Sequence, residues 1–381
     1  MSINNKAQSL KKAPLPENKN PNKSSNVVNV HFGVFFDGTG AGGEMAKKEM
    51  RLNSNVEILQ TYYKEDDYTC KLYLKGIGVV DLTEKDKYRG LIIGTGSTGI
   101  ETKVKKAIQD IPIKISRKEK IPTESNINLH FEVFGFSRGA AAARHFVSEI
   151  TNKKVSITRS IDEQLKSKNQ EIKSITINYV GLFDTVSSHG LDFSNDVKKL
   201  GLDAIKNAEK VFHICAADEF RKFFALTDIR SVGKDKGTEV FITGSHTDIG
   251  GGIDPNWKNK AAKYGEGWTD STEAVQSGYS NIALNLMATK SNEIREKFEI
   301  LDKYEVSDDL QKTEQTIQNN LSSLKSAKDC FNLQEFDYKN LRANWLHFTA
   351  VEGNIIDSPH IVKEKDGVEN IKKFERELIP G

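Results

Sequence analysis

Ser137, Asp184 and His246 are the residues whose types and order support one reaction. Ser137 is the centre of Gly135-Phe136-Ser137-Arg138-Gly139. The stretch before it, Asn128 to Phe136, is apolar and β-branched, and four consecutive alanines, strong helix formers, follow Gly139. Strand, tight turn and helix are the context in which a G-x-S-x-G pentapeptide holds a serine hydroxyl out at its tip, with the glycines letting strand and helix approach closely. A serine between glycines is also common in ordinary turns, so the reading depends on an acid and a histidine further along the chain.

Both are present. Ser174 to Val186 is a nearly continuous apolar run interrupted at Asp184, which places that carboxylate at a strand end. A capping Asp for a following turn is the alternative. Glu239 to Thr243 forms another strand that runs into Gly244-Ser245-His246-Thr247-Asp248, so His246 lies in a glycine-bracketed loop just past a strand. Among the 8 histidines it is the best placed general base. His189 follows Asp184 by only five residues and could lie near the site without being the base, while His130, His145 and His213 lie in apolar or helical segments where a packed histidine is expected. Asp248 either holds the loop or offers a carboxylate to a cation, although a calcium site needs more oxygen ligands than gather here.

The order Ser, Asp, His supports acyl transfer to water. A serine hydroxyl becomes an effective nucleophile when a histidine accepts its proton, and the aspartate fixes the imidazole's tautomer and stabilises its charged form. The oxyanion would be met by the N–H of Arg138 and by N–H groups of the loop Asp37-Gly38-Thr39, which ends the apolar run Val27 to Phe36. A plain Asp-Gly turn is an equal reading of that loop. These residues do not separate an ester from an amide or thioester.

The positioning elements define an α/β class: an α/β-hydrolase-like, mostly parallel sheet flanked by helices, with a helical C-terminal extension. Strands are expected at Val27 to Phe36, Cys70 to Val80, Leu129 to Phe136, Ser174 to Val186, Val211 to Ala217 and Glu239 to Thr243. Helices are expected at Asn53 to Tyr63, Ile100 to Gln109, after Gly139, within Leu191 to Lys210, and from Ala274 to Met287. Asn292 to Phe331 reads as one long charged helix with a narrow apolar stripe. Residues 1–26 form a polar tail, 27–290 the catalytic domain with surface insertions, and 291–381 an extension packed on it.

Other features narrow the class by exclusion. The glycine loop 90–99 lacks the G-K-[ST] ending of a phosphate loop and the dinucleotide spacing, so no cofactor is expected. Fifty-five basic against 53 acidic residues, a net charge of +2, give no electrostatic case for nucleic acid. Three distant cysteines without a C-x-x-C pair argue against a disulfide framework or a zinc site and fit a reducing cytosol. No apolar run reaches the roughly 20 residues of a membrane span, and the basic N-terminus has no apolar segment of a Sec signal.

Four motifs, GVFFDGTG at 33–40, GFSRGAAAAR at 135–144, GLFDTVSSHG at 181–190 and GSHTDIGGG at 244–252, together resemble lipase effector family 1, a bacterial α/β-hydrolase family of type VI secretion phospholipase effectors. The resemblance implies phospholipase A activity on membrane glycerophospholipids, with Ser137, Asp184 and His246 at the matching triad positions. It also implies synthesis in the bacterial cytoplasm without a Sec signal, delivery into a neighbouring cell by type VI secretion components, and a cognate immunity protein. Where the family's histidine loop usually continues with an aromatic residue, this chain has Ile253-Asp254-Pro255 after Gly252. A soluble carboxylesterase and a catalytically silent hydrolase-like module are the alternatives.

Overall fold

The computed structural model describes residues 26–42, 52–79, 99–152, 161, 163–189, 194–195, 197–262, 268–299, 304–350, 361–363, 369–371 and 376–381. The expected tail at 1–26 lies almost wholly outside these residues, as does all but the last residue of the glycine loop at 90–99.

Six strands build the central sheet: β1 (Asn26–Phe36), β2 (Thr69–Leu74), β3 (Ser125–Phe136), β4 (Glu171–Phe183), β5 (Lys210–Ala216) and β6 (Gly237–Ile242). Their order is β2-β1-β3-β4-β5-β6, and every pairing is parallel. All carboxyl ends therefore open on one edge, where an α/β sheet places its ligands. Register makes this local: Phe136 lies opposite Phe183, so the next residues, Ser137 and Asp184, are neighbours across the sheet edge.

Parallel strands need crossovers, and the helices that supply them bury both faces of the sheet. One face packs Val30, Phe32, Val34, Ile127, Leu129, Phe131 and Val133 against α2 (Ile100–Ser116) and α3 (Arg138–Thr151). The alanines of α3 let that helix lie close to the sheet, and Ala140 to Ala143 are fully buried. The other face packs Phe35, Phe134, Phe136, Tyr179 and Phe183 against α1 (Asn55–Tyr62) and α5 (Ser280–Asn292), the latter following the short α4 (His246–Gly250). The two-residue period breaks at a bulge in β4, where Asn178 has no partner on β3. Ile177 and Val180 consequently face the same side although three apart.

Beyond Asn292 the chain is not one long helix. It forms α6 (Asp308–Asn320), α7 (Ala327–Asn332) and α8 (Tyr338–Asn344), which close the second core with Leu310, Ile317, Leu324, Leu341, Trp345 and Phe348. Ser326 caps α7 and Asp337 caps α8 through their side chains, so each helix has its own start signal. The expected helix at Leu191 to Lys210 is likewise shorter: a single turn at Val197–Leu200 and a 3-10 helix at Leu202–Asn207. Near the end of the chain, Leu378–Ile379 pairs in parallel with Leu226–Thr227.

Candidate active site

Ser137 occupies the turn between β3 and α3 with φ 59° and ψ −128°, a conformation that non-glycine residues rarely adopt. The turn is held by backbone bonds: its N–H donates to Phe183 O at 3.0 Å, and its carbonyl accepts from Ala140 at 3.0 Å and Val186 at 3.3 Å. Close approach explains the flanking glycines. A Cβ on Gly135 would lie 2.5 Å from Gly139 O, and one on Gly139 would lie 2.3 Å from the carbonyl oxygens of Phe36 and Asp37. Although Ser137 stands at the N-cap position of α3, its hydroxyl makes no capping bond, which leaves it available for chemistry.

Asp184 follows β4 directly, with φ 43° and complete burial. Oδ2 accepts from His246 Nδ1 at 2.5 Å and from Arg376 Nη2 at 2.9 Å, while Oδ1 accepts from Ala216 N–H at 2.8 Å and Arg376 Nη1 at 2.5 Å. Burial alone would raise the carboxyl pKa. The Arg376 charge, followed by the hydrogen bond and charge of His246, holds it well below the usual carboxylate range. An ionised carboxylate only accepts, so His246 Nδ1 carries the proton and the neutral ring's Nε2 is an acceptor.

His246 opens α4 rather than lying in a loop. Ser245 and Asp248 form a capping box around the helix start, a Ser-x-x-Asp pattern already visible in the sequence. Its ring stands between two aromatics, tilted against Phe136 at 4.6 Å and edge-on to Phe224 at 5.0 Å. Burial lowers the His246 pKa; the hydrogen bond and charge of Asp184 oppose that shift. The net lowering favours the neutral, proton-accepting imidazole.

The loop after β1 takes a different role from the one expected for Asp37 and Gly38. The Asp37 N–H bonds Leu74 O at 3.0 Å, and the Gly38 N–H bonds the Asp37 carboxylate at 2.7 Å, so neither amide points to an oxyanion. Asp37 also accepts from Ser54 Oγ at 2.6 Å and Tyr73 OH at 2.5 Å, anchoring the loop to α1 and β2. Burial pushes its pKa up to about 6 against these donors. Arg138 Nε donates to Thr39 Oγ1 at 2.9 Å, which brings the loop onto the start of α3.

Asp248 is a structural anchor. Its carboxylate accepts from Ser245 N–H and Oγ at 2.8 and 2.9 Å and from His347 N–H and Nδ1 at 3.0 and 2.6 Å. Among the described residues, His213, Cys215 and Glu239 are the group whose ligand atoms could meet on a metal. Both His213 nitrogens are already used there: Nε2 accepts from Thr185 N–H at 3.1 Å and Nδ1 donates to Glu239 at 2.8 Å. This trio supports the turn after Asp184, and holding an ion would break those bonds. Arg376, Phe224 and Glu219, whose carboxylate accepts from His246 N–H at 3.3 Å, escaped sequence reasoning because no local pattern marks them.

The fold and this edge of the sheet define an α/β-hydrolase-like protein with a buried Asp–His pair beside a strained serine turn. Residues 149–290 match the family model described as the type VI secretion system (T6SS) phospholipase effector Tle1-like, catalytic domain, a span that contains Asp184 and His246. The match bears out the resemblance over the two of its four motifs that lie in this span, GLFDTVSSHG and GSHTDIGGG. The fold is similar to that of the Tle1 effector solved bound to the VgrG spike of the type 6 secretion system, with a TM-score of 0.65 and 20% identity over 92% of this chain and 90% of that one. An uncharacterized protein from Pseudomonas aeruginosa is similar at a TM-score of 0.47, with 17% identity over 82% of this chain and 56% of that one. No curated protein sequence matches the chain.

Proposed function

We propose that this protein is a serine-dependent phospholipase A that hydrolyses acyl esters of glycerophospholipids and acts as an effector of type VI secretion. The observation that carries the reading is the 2.5 Å bond from His246 Nδ1 to Asp184, formed at the sheet edge where the next strand ends in the strained Ser137 turn. The Tle1-like phospholipase match over 149–290 supports a phospholipid as the substrate class.

In this reading Ser137 Oγ attacks the ester carbonyl while His246 Nε2 takes its proton. Asp184 stabilises the imidazolium that forms. The tetrahedral oxyanion is met by the N–H of Arg138 at the start of α3 and by that of Thr39, because the Asp37 and Gly38 amides are engaged elsewhere. The proton passes to the departing lysophospholipid alkoxide, leaving an acyl enzyme. Water, activated by the same histidine, then releases the fatty acid.

Residues 27–290 form the catalytic domain and 291–381 complete it. Delivery would use a type VI spike protein of the VgrG kind, with a cognate immunity protein protecting the producer.

The test is product analysis on phospholipid vesicles with wild-type protein and Ser137→Ala. Wild type is expected to release lysophospholipid and fatty acid, and the variant to lose at least about 10³-fold of that rate while keeping its fold. Hydrolysis of short soluble esters without vesicle turnover would make it a carboxylesterase. Failure of Ser137 to react with a fluorophosphonate probe would make it a silent module.

A further inference from the structure

Arg376 lies 192 positions beyond Asp184 in the chain, yet its guanidinium fork grips both oxygens of that carboxylate. Its side chain is 7% exposed and that of Asp184 is fully buried. Its third donor, Nε, bonds Phe224 O at 2.6 Å, and the Phe224 ring is the edge-on partner of His246. One side chain therefore ties the acid to one of the two rings that hold the base.

The segment carrying it is anchored just after Arg376. Leu378–Ile379 pairs with Leu226–Thr227, and Thr227 N–H bonds the carbonyl of Thr185, the residue after Asp184, at 2.9 Å. Without Arg376, each Asp184 oxygen would keep one donor among the described contacts, Ala216 N–H on Oδ1 and His246 Nδ1 on Oδ2, so the carboxylate plane would rest on one amide and on the very ring it has to orient. A planar two-point guanidinium contact prevents rotation of that plane, which a point cation cannot do.

We infer that Arg376 is a positioning residue for hydrolysis, fixing the plane of the Asp184 carboxylate and through it the orientation of the His246 ring. This rests on the proposed roles of Ser137, Asp184 and His246. The fork also has an electrostatic consequence, since a cation sharing the Asp184 oxygens disfavours the imidazolium. The other charged groups around His246 are Glu219, paired bidentately with Arg221; Asp218, paired with Arg342; and Asp248, which bonds His347 from within α4. None of these contacts the Asp184 oxygens.

The experiment compares wild type, Arg376→Met, Arg376→Lys and Ser137→Ala, following kcat and KM for a short p-nitrophenyl ester across the acid and neutral range. Circular dichroism checks folding. Arg376→Met is expected to lower kcat on the order of 10²-fold with KM within about 2-fold, as for a displaced catalytic group. Its acid limb should move to higher pH, because losing the cation favours the imidazolium. Arg376→Lys keeps the charge without the fork, so it should lose kcat while keeping the wild-type limb.

A folded Arg376→Met with wild-type kcat, or with lowered kcat on an unshifted limb, overturns the inference. If that variant does not fold, Arg376→Lys decides: an unchanged kcat, or a loss confined to KM, overturns it. Turnover that persists in Ser137→Ala overturns the triad reading along with this one. Turnover lost in Ser137→Ala but kept in both Arg376 variants overturns this one alone.

Discussion

The ring of Phe136 lies 4.6 Å from that of His246, tilted by 34°. The residue immediately before Ser137 is thus the wall against which the His246 ring rests. Gly38 and Gly250 make room for that wall, since a Cβ at either position would come 2.4 Å or 2.0 Å from the Phe136 ring. Replacing Phe136 by Ala should lower stability by about 3–5 kcal/mol and release the imidazole. Leu, closer in volume, should cost less than about 1.5 kcal/mol while still lowering kcat. Urea melts alongside ester turnover would separate the two effects, and a Leu variant with unchanged kcat would remove Phe136 from any role beyond packing.

Gly139 is a second point of contact between strand and helix. Its added Cβ would meet two backbone oxygens at 2.3 Å, and backbone cannot move aside as a flexible side chain can. Gly139→Ala should therefore cost about 1–3 kcal/mol and displace the start of α3 with the Arg138 amide. Thermal unfolding measures the first effect and fluorophosphonate labelling of Ser137 the second. Wild-type values for both would show that the close approach is dispensable.

With His246 as the proposed base, its lowered pKa is expected to set the acid limb of activity. The base is the neutral imidazole, and burial favours that form, so kcat/KM should stay on its plateau below the ordinary histidine value of about 6.5. A pH profile with a soluble ester gives the midpoint directly. A limb above that value would mean that the charge of Asp184 outweighs burial.

Asp37 gives stability an opposite slope. Its folded pKa is raised, to about 6 from 3.8, so its contribution is complete below the unfolded value and is lost as pH rises through about 6. The loss amounts to about 2–3 kcal/mol for a fully buried group. Asp37→Asn should remove this component, so the stability difference between variant and wild type should change between about pH 4 and about pH 7. Denaturant melts at the two pH values would show it, and a constant difference would mean that Asp37 stays ionised throughout.

A buried ion pair joins the later residues to the middle of the sheet. Glu132, on β3, is 3% exposed and accepts from Tyr63 OH at 2.6 Å and from Arg295 Nη2 at 2.8 Å. Arg295→Ala would strand that carboxylate, an imbalance that costs about 3–5 kcal/mol. Adding Glu132→Gln should recover part of the loss, and a double variant no more stable than the single one would contradict this account.

The Ser137 turn and the Asp184–His246 pair were legible because each element that carries them is local. Ser137, Asp184 and His246 each follow an apolar strand by a few residues, and a strand announces itself through its own side chains. The sheet was legible for the same reason, down to the alanines that bring α3 close. What escaped was long-range or lay in capping detail. The charged stretch after Asn292 suggested one helix by composition, yet Ser326 and Asp329 form a Ser-x-x-Asp cap that starts α7. The same pattern at Ser245 and Asp248 turns the His246 loop into a helix. For the Asp37 loop the glycine pattern was legible but not the engagement of two of its amides, because the partner of Asp37 N–H, Leu74, lies on β2 and that of Gly38 N–H is the Asp37 carboxylate. Arg376 sits in a charged run where nothing nearby distinguishes it.

The pairing of Leu378–Ile379 with Leu226–Thr227 fixes an order of events during synthesis. A chain leaving the ribosome exposes Ser137, Asp184 and His246 long before residue 376, and domains fold as their sequence emerges. The acid acquires its guanidinium partner through one of the most distant contacts in the molecule, of the sort that closes late. On the proposed roles, a ribosome that stalls after His246 would release a polypeptide holding Ser137, Asp184 and His246 but lacking the guanidinium that grips the Asp184 carboxylate.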